Sequence, residues 1–250
     1  MITKIKIFGR NNYCHVCGKW INNFKPLPEA YAENSKKNGY AYFGTGEMTP
    51  LDTYFCGHCN SSDRERLYAY YIKKNFSGKE NIVFYHFAPE KNLRLFIKRF
   101  FKNITYRTFD LFAPDVDCQA DLTDMNMIKD NECDFFICSH MLEHIEDDKK
   151  AIEELYRITK HGGKGILMAP ISTAIDSTIE NLPDVKTDED RWKYYGQNDH
   201  IRLYARKEFV ERILSAGFEL EMYDVHNFGK SFLKKNGLKE TTVLYIVKKK

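Results

Sequence analysis

The stretch from Asp134 to Pro170, DFFICSHMLEHIEDDKKAIEELYRITKHGGKGILMAP, constrains the fold more than any other part of the chain. It opens with an apolar run (Phe135, Phe136, Ile137, Cys138) and closes with a second one ahead of Pro170. Both runs are short, bounded by turn residues and rich in β-branched or aromatic side chains, as in strands buried on both faces. Between them Ala151, Ile152, Leu155, Tyr156 and Ile158 recur at helical spacing. Asp147 or Asp148 can cap that helix, Glu153 and Arg157 are spaced for an i,i+4 pair, and Gly162 or Gly163 supplies the left-handed residue expected to end it. Strand, helix and strand of this length make a βαβ unit, which predicts a parallel sheet with helices on its faces. Ligands of such sheets bind at the carboxyl ends of the strands, where Ser139 and His140 fall.

The block ICSHMLEHIEDDKKAIEELYRITKHGGKGILMAP resembles the segment after the fourth strand of class I S-adenosylmethionine-dependent methyltransferases. That family shows a Leu-Glu-His, an acidic helix, an Arg and a Gly-Gly before the next strand. The resemblance implies a transferase of α/β class, with a seven-stranded Rossmann-like methyltransferase sheet and S-adenosylmethionine as cofactor. A βαβ unit of some other doubly wound protein is the plainer reading of the same residues.

A length of 250 residues suits one large domain with a small appendage. No apolar run approaches bilayer length and the N-terminus has no secretory pattern, so a cytoplasmic protein without a membrane partner is expected. The formal charge of +3 is too small to argue for nucleic acid. Seven cysteines without an export signal favour thiols and metal ligation over disulfides.

Residues 1–66 read as a separate zinc ribbon, with residues 67–250 as the methyltransferase domain. Cys14-His-Val-Cys17 and Cys56-Gly-His-Cys59 are two knuckles whose four thiolates suffice for a closed tetrahedral zinc site. Prolines and glycines between them predict loops and short strands, and a small core makes metal the expected source of much of the folding free energy. The ribbon followed by a small polar pair and Arg64-x-Arg66 resembles one fused ahead of some bacterial methyltransferase domains. The two arginines can recognise an anionic substrate or pair with acids across the domain junction, the second being the more ordinary role.

Ile82 to Phe87 is the expected first strand, and Ala88-Pro89-Glu90 opens the helix that carries Leu93, Phe96, Ile97 and Phe100. The family's glycine-rich loop is absent at this turn; HFAPEKNL resembles a variant with His-x-Ala-Pro-Glu in its place. Ala88, and Glu90 or the helix start behind it, are the candidates to hold the cofactor's amino-acid moiety. Asp110, at the end of the second strand (105–109), is placed for a carboxylate that accepts both ribose hydroxyls. By resemblance, Asp121 accepts from the adenine amino group, Leu122 offers its backbone amide, and Ser139 lies at the cofactor-facing end of the fourth strand. A helix cap is the ordinary role of either Asp.

His140, Glu143 and His144 share one face if their segment is helical. The spacing resembles, in part, the Glu-x-x-Glu-His of certain O-methyltransferases, where it holds a divalent metal. Two roles remain open for it: metal cluster or helix start. A polar insertion after Pro170 reads as a substrate lid, and His200 beyond it is a candidate to join the cluster as ligand or base, or else to anchor the lid with Arg202. Segments 218–225 and 242–247 are expected to close the sheet as an antiparallel pair. The reading is an S-adenosylmethionine-dependent methyltransferase, with O-methylation of a small-molecule or saccharide acceptor and His140, His144 and His200 as candidate bases. The rivals are an rRNA methyltransferase gripping RNA through its ribbon, and a methyltransferase-fold binding module that has lost its cofactor.

Overall fold

Phe135, Phe136, Ile137 and Cys138 have no solvent exposure, which is what an apolar run without alternation demands of its surroundings. The computed structural model, which describes residues 11–76 and 81–250, puts their strand at the centre of a seven-stranded sheet. Residues 1–10, the start of the expected ribbon and of the stretch read for an export signal, lie outside the described residues, as do 77–80. The strands are β1 (Val83–Phe87), β2 (Thr105–Asp110), β3 (Cys118–Gln119), β4 (Cys133–Ser139), β5 (Thr159–Met168), β6 (Glu219–Tyr223) and β7 (Leu244–Lys248). Their order is β6-β7-β5-β4-β1-β2-β3, with β7 antiparallel to both of its neighbours and all other pairings parallel. The expected closing pair is thus β6 and β7, in register from Glu219↔Lys248 to Tyr223↔Leu244.

Helix α1 (Glu29–Lys37) lies in the N-terminal module, and α2 (Asp63–Phe76) and α3 (Lys91–Phe100) flank β1 in the chain. Helix α4 (Asp148–Ile158) joins β4 to β5; Asp147 caps it, accepting from the Lys150 amide. Its buried Ile152, Leu155 and Ile158 each contribute about 1.5–3 kcal/mol of burial. Two local expectations fail here. Arg157 pairs with Glu154 and Asp130 rather than Glu153, because those two carboxylates let it also reach the carbonyls of Met125 and Ile128. The glycines do not end α4: Thr159 takes an extended conformation at its C-cap and starts β5 at once. Gly162, at φ +78°, instead lies inside β5, where the pairing with β4 shifts register between Cys133 and Phe135.

The N-terminal module contains more than loops and short strands, since α1 occupies nine residues of it. Pro28 stands at its N-cap, Glu29 in its first turn and Lys36 and Lys37 in its last, an arrangement that suits the helix dipole. Cys14, Ile21, Phe24 and Cys56 form the module's own small buried cluster. The segment after β5 builds a second small layer from Ile171–Ser172, Ile179–Glu180, α5 (Asp188–Tyr195) and Arg202–Ala205, followed by α6 (Arg206–Ser215). Among the described residues no helix is long and apolar enough to cross a membrane.

Candidate functional site

The four cysteines of the two knuckles converge, with all sulfurs within 4.8 Å of one another. Cys14 and Cys59 are 3.7 Å apart, against about 3.8 Å for a tetrahedron of zinc–sulfur bonds near 2.3 Å. Ser61 Oγ lies 3.3 Å from Cys14 Sγ and 3.2 Å from Cys59 Sγ, and the His58 amide donates to Cys56 Sγ at 3.4 Å. Hydrogen bonds from Cys14 and Cys59 hold the Cys56 thiol far below its ordinary value, so a thiolate is available to a cation. The donor set fits structural zinc, and Cys14, Cys17, Cys56 and Cys59 would hold it.

The module is fastened to the sheet by its two arginines. Arg66, fully buried, gives hydrogen bonds to the carbonyls of Thr53, Tyr54, Ser61, Asn236 and Gly237 and stacks on Phe24. Its partners are backbone carbonyls, not the expected acids: those of Thr53 and Tyr54 ahead of the second knuckle, Ser61 behind it, and Asn236 and Gly237 before the last strand. Arg64 does pair with an acid, Glu90, at 3.1 Å.

At the carboxyl ends of the central strands the backbone takes two uncommon turns. Ala88, after β1, has φ +45°, and His140, after β4, has φ +56°. Left-handed non-glycine residues store strain and concentrate at functional sites. Ala88 therefore makes, with the smallest side chain available, a turn that a glycine would make freely. Glu90 accepts from Arg64 and, at 3.0 Å, faces His86 Nε2. Burial opposes ionisation of Glu90, yet those two partners hold its carboxyl below the usual range. Asp110 ties one oxygen to the Phe112 and Ala113 amides, and Asp121 ties one to Thr123; each keeps its second oxygen for another donor. Leu122 is buried between β3 and the core, and Ser139 Oγ lies 2.8 Å from the Tyr68 hydroxyl of α2. The strained turn and the two half-engaged carboxylates, at three adjacent strand ends, fit an adenosyl cofactor.

Next to this edge, Leu142–His144 forms a single 3-10 turn. That turn brings Glu143 Oε1 within 3.5 Å of His140 Nδ1, 3.9 Å of His144 Nε2 and 3.9 Å of His200 Nε2. Ligand atoms of Glu143, His144 and His200 all lie within 4.8 Å of one another. Glu143 is fully buried, and neither of its carboxylate oxygens has a hydrogen-bond partner; His200 Nδ1 is likewise unpartnered. Burial pushes the Glu143 carboxyl up to about 8. Burial, then the neighbouring His144, takes His200 down to about 4, and burial with the Arg64 charge keeps His140 well below its ordinary value. Arg202 anchors the lid by donating to the carbonyls of Leu142, Ile145 and Glu146 while pairing with Glu180. A cleft of about 380 Å³ opens above the cluster, with Arg64 also on its lining. One wall comes from residues 27–54 of the N-terminal module, the other from the lid between Tyr195 and Leu203.

Residues 98–167, which run from α3 to the end of β5, match the family model described as methyltransferase domain. The match covers 70 of the chain's 250 residues. A curated relative, an uncharacterized protein of Methanocaldococcus jannaschii, is 34% identical over 91 residues, 36% of this chain; the chain spans 40% of that relative's length. Among solved structures the chain is similar to a SAM dependent methyltransferase from Archaeoglobus fulgidus (12% identity, TM-score 0.48, 76% of this chain and 95% of that one). It is similar also to the [4+2]-cyclase SpnF (12% identity, TM-score 0.48, 88% of this chain and 92% of that one).

The cleft thus has an accessory wall that the sequence did not announce. Tyr31, Tyr40, Tyr42 and Tyr54 line the cleft although they lie in the segment expected only to connect the knuckles. A density of tyrosines exceeding what so small a core can bury was the available signal. Also missed were the partners of Glu90 and Ser139, because neither the Arg64 nor the Tyr68 contact is local in sequence.

Proposed function

We propose that this chain is an S-adenosylmethionine-dependent methyltransferase that methylates a hydroxyl of a small or carbohydrate-like acceptor held in the cleft above Glu143. The observation that carries the reading is a buried, unpartnered carboxylate ringed by three imidazoles, at the strand ends of a methyltransferase domain. When bound, the cofactor supplies a methyl group activated by its sulfonium. The protein's task is then alignment and proton removal, and alignment alone is worth several orders of magnitude in such displacements. Asp110 would accept from the ribose hydroxyls, Asp121 and the Leu122 amide would face the adenine, and Ala88, Glu90 and Ser139 would border the amino-acid end.

The acceptor proton would pass to the cluster. His140 and His200 are neutral at pH 7 by the direction of their shifts, so each can receive a proton without first losing one. Glu143, His144 and His200 also make a donor set for a divalent cation, with His140 Nδ1 beside it. The unpartnered Glu143 oxygens would gain the partner they lack, with His200 Nε2 facing the same point, which is the fit expected of such a site. Such a cation would keep Glu143 ionised and polarise the acceptor hydroxyl. Calorimetry with S-adenosylmethionine and with S-adenosylhomocysteine tests the reading: stoichiometric binding supports it, and no binding of either overturns it.

A further inference from the structure

The segment between the two cysteine pairs does more than connect them. It is clamped at both ends by the sulfur tetrad and in the middle by Glu47, a buried acid that pairs with Arg206 at 2.5 Å and accepts from the Tyr245 hydroxyl of β7 at 2.9 Å. The Glu47 amide donates to the Ile171 carbonyl, and Thr45 Oγ1 lies 2.8 Å from Ser172 Oγ. A wall held this firmly keeps its side chains where a ligand would find them.

The chemistry of that wall is specific. Tyr31, Tyr40, Tyr42 and Tyr54 all line the cleft, and none of their hydroxyls has a hydrogen-bond partner among the described residues. Tyr40 and Tyr42 meet edge to face with centroids 5.8 Å apart. Tyr40 also closes against the opposite lid: a Cβ on Gly196 would come within 2.7 Å of its ring. Burial raises the Tyr40 phenol above its ordinary range and takes Tyr54 up to about 12, so both keep their protons as donors. Arg64 is the one Lys or Arg on the described lining, and Glu90 already offsets its charge. A polyanion such as RNA therefore meets one partly offset positive charge here rather than the basic stripe it needs. A volume of about 380 Å³ sits at the low end for small-molecule sites.

We propose that this inter-knuckle segment is the acceptor-recognition element, and that its tyrosines take an uncharged, polyhydroxylated ring, a saccharide, by stacking on its faces and hydrogen-bonding its hydroxyls. The inference rests on the Glu143 cluster being the reaction centre, since that cluster forms the floor on which the ring would sit.

The test uses the full, zinc-loaded chain and a Tyr40→Phe/Tyr42→Phe double variant. It keeps both rings and removes only hydroxyls without protein partners, so its melting temperature should match wild type. A panel of neutral hexoses and deoxyhexoses is titrated by saturation-transfer NMR and calorimetry, with and without S-adenosylhomocysteine. The expected result is millimolar binding of at least one sugar, weakened about tenfold in the double variant, with S-adenosylhomocysteine affinity unchanged. Tighter binding of 3,4-dihydroxybenzoate or of a ten-residue oligoribonucleotide than of any sugar overturns the inference. So does sugar binding indifferent to the double substitution, or no sugar binding at all. Failure of S-adenosylhomocysteine to bind the wild type would instead strike the methyltransferase reading itself.

Discussion

Glu143→Gln should make the protein more stable at alkaline pH, because the native carboxyl is buried without a partner. Its pKa rises from 4.5 to about 8 on folding, so the folded state holds a proton that the unfolded state has lost. Stability from this group is complete below 4.5 and disappears as pH rises toward 8. His140 and His200 act in the opposite sense: their depressed values cost stability only below 6.5, as pH falls. Above 6.5 the carboxyl is therefore the cluster's remaining source of slope. The interval from 6.5 to about 8 corresponds to roughly 2 kcal/mol at 1.36 kcal/mol per unit. For a chain of this length that is about 4–8 °C in melting temperature. The assay is thermal unfolding at pH 6.5, 7.5 and 8.5, in citrate to scavenge weakly bound divalent ions while sparing a four-thiolate zinc site. Wild type should lose those degrees and Glu143→Gln should not; added Mn²⁺ should restore wild type alone. Parallel melting curves for the two proteins across this range would refute the reasoning.

Three further outcomes follow from the geometry. Cys14→Ser should release zinc, measured by metal analysis, and loosen the first module; stoichiometric zinc in a Cys14→Ser/Cys56→Ser double variant would exclude this ligand set. Asp110→Ala should weaken S-adenosylhomocysteine at least about tenfold in calorimetry, because hydrogen bonds to a charged acceptor are worth about 1.5–3 kcal/mol each; unchanged affinity would remove Asp110 from the cofactor site. His200→Ala should leave that affinity near wild type while abolishing methyl transfer to the acceptor, and normal turnover would reduce His200 to a lid anchor.

The legibility of this chain followed the range of the interactions involved. β4, α4 and β5 could be read from Asp134 to Pro170 because their burial pattern and the Asp147 cap are local. The two cysteine pairs were legible for a different reason: four sulfurs have few other uses in a small module. His140, Glu143 and His144 were found by spacing, but a 3-10 turn rather than an α-helix gathers them, and His200 reaches them through the fold. The aromatic wall was illegible because tyrosines 31 to 54 meet the cluster only after Glu47 docks on β7. The glycines at 162 and 163 misled for a local reason: an extended Thr159 had already ended the helix that they were expected to stop.

Arg66 gives the molecule an unusual kind of bookend. Its guanidinium gathers carbonyls from the turn beside Cys59 and from Asn236-Gly237, just before the final strand, so the N-terminal module and the approach to β7 meet on one side chain. A shortened chain begun after residue 66 would lose that side chain together with the knuckles. It would leave at least two buried carbonyls facing nothing at the approach to β7. The ribbon and the sheet edge are thus joined in stability, although the sequence divides them: trimming the front of this protein is, energetically, also an incision near its back.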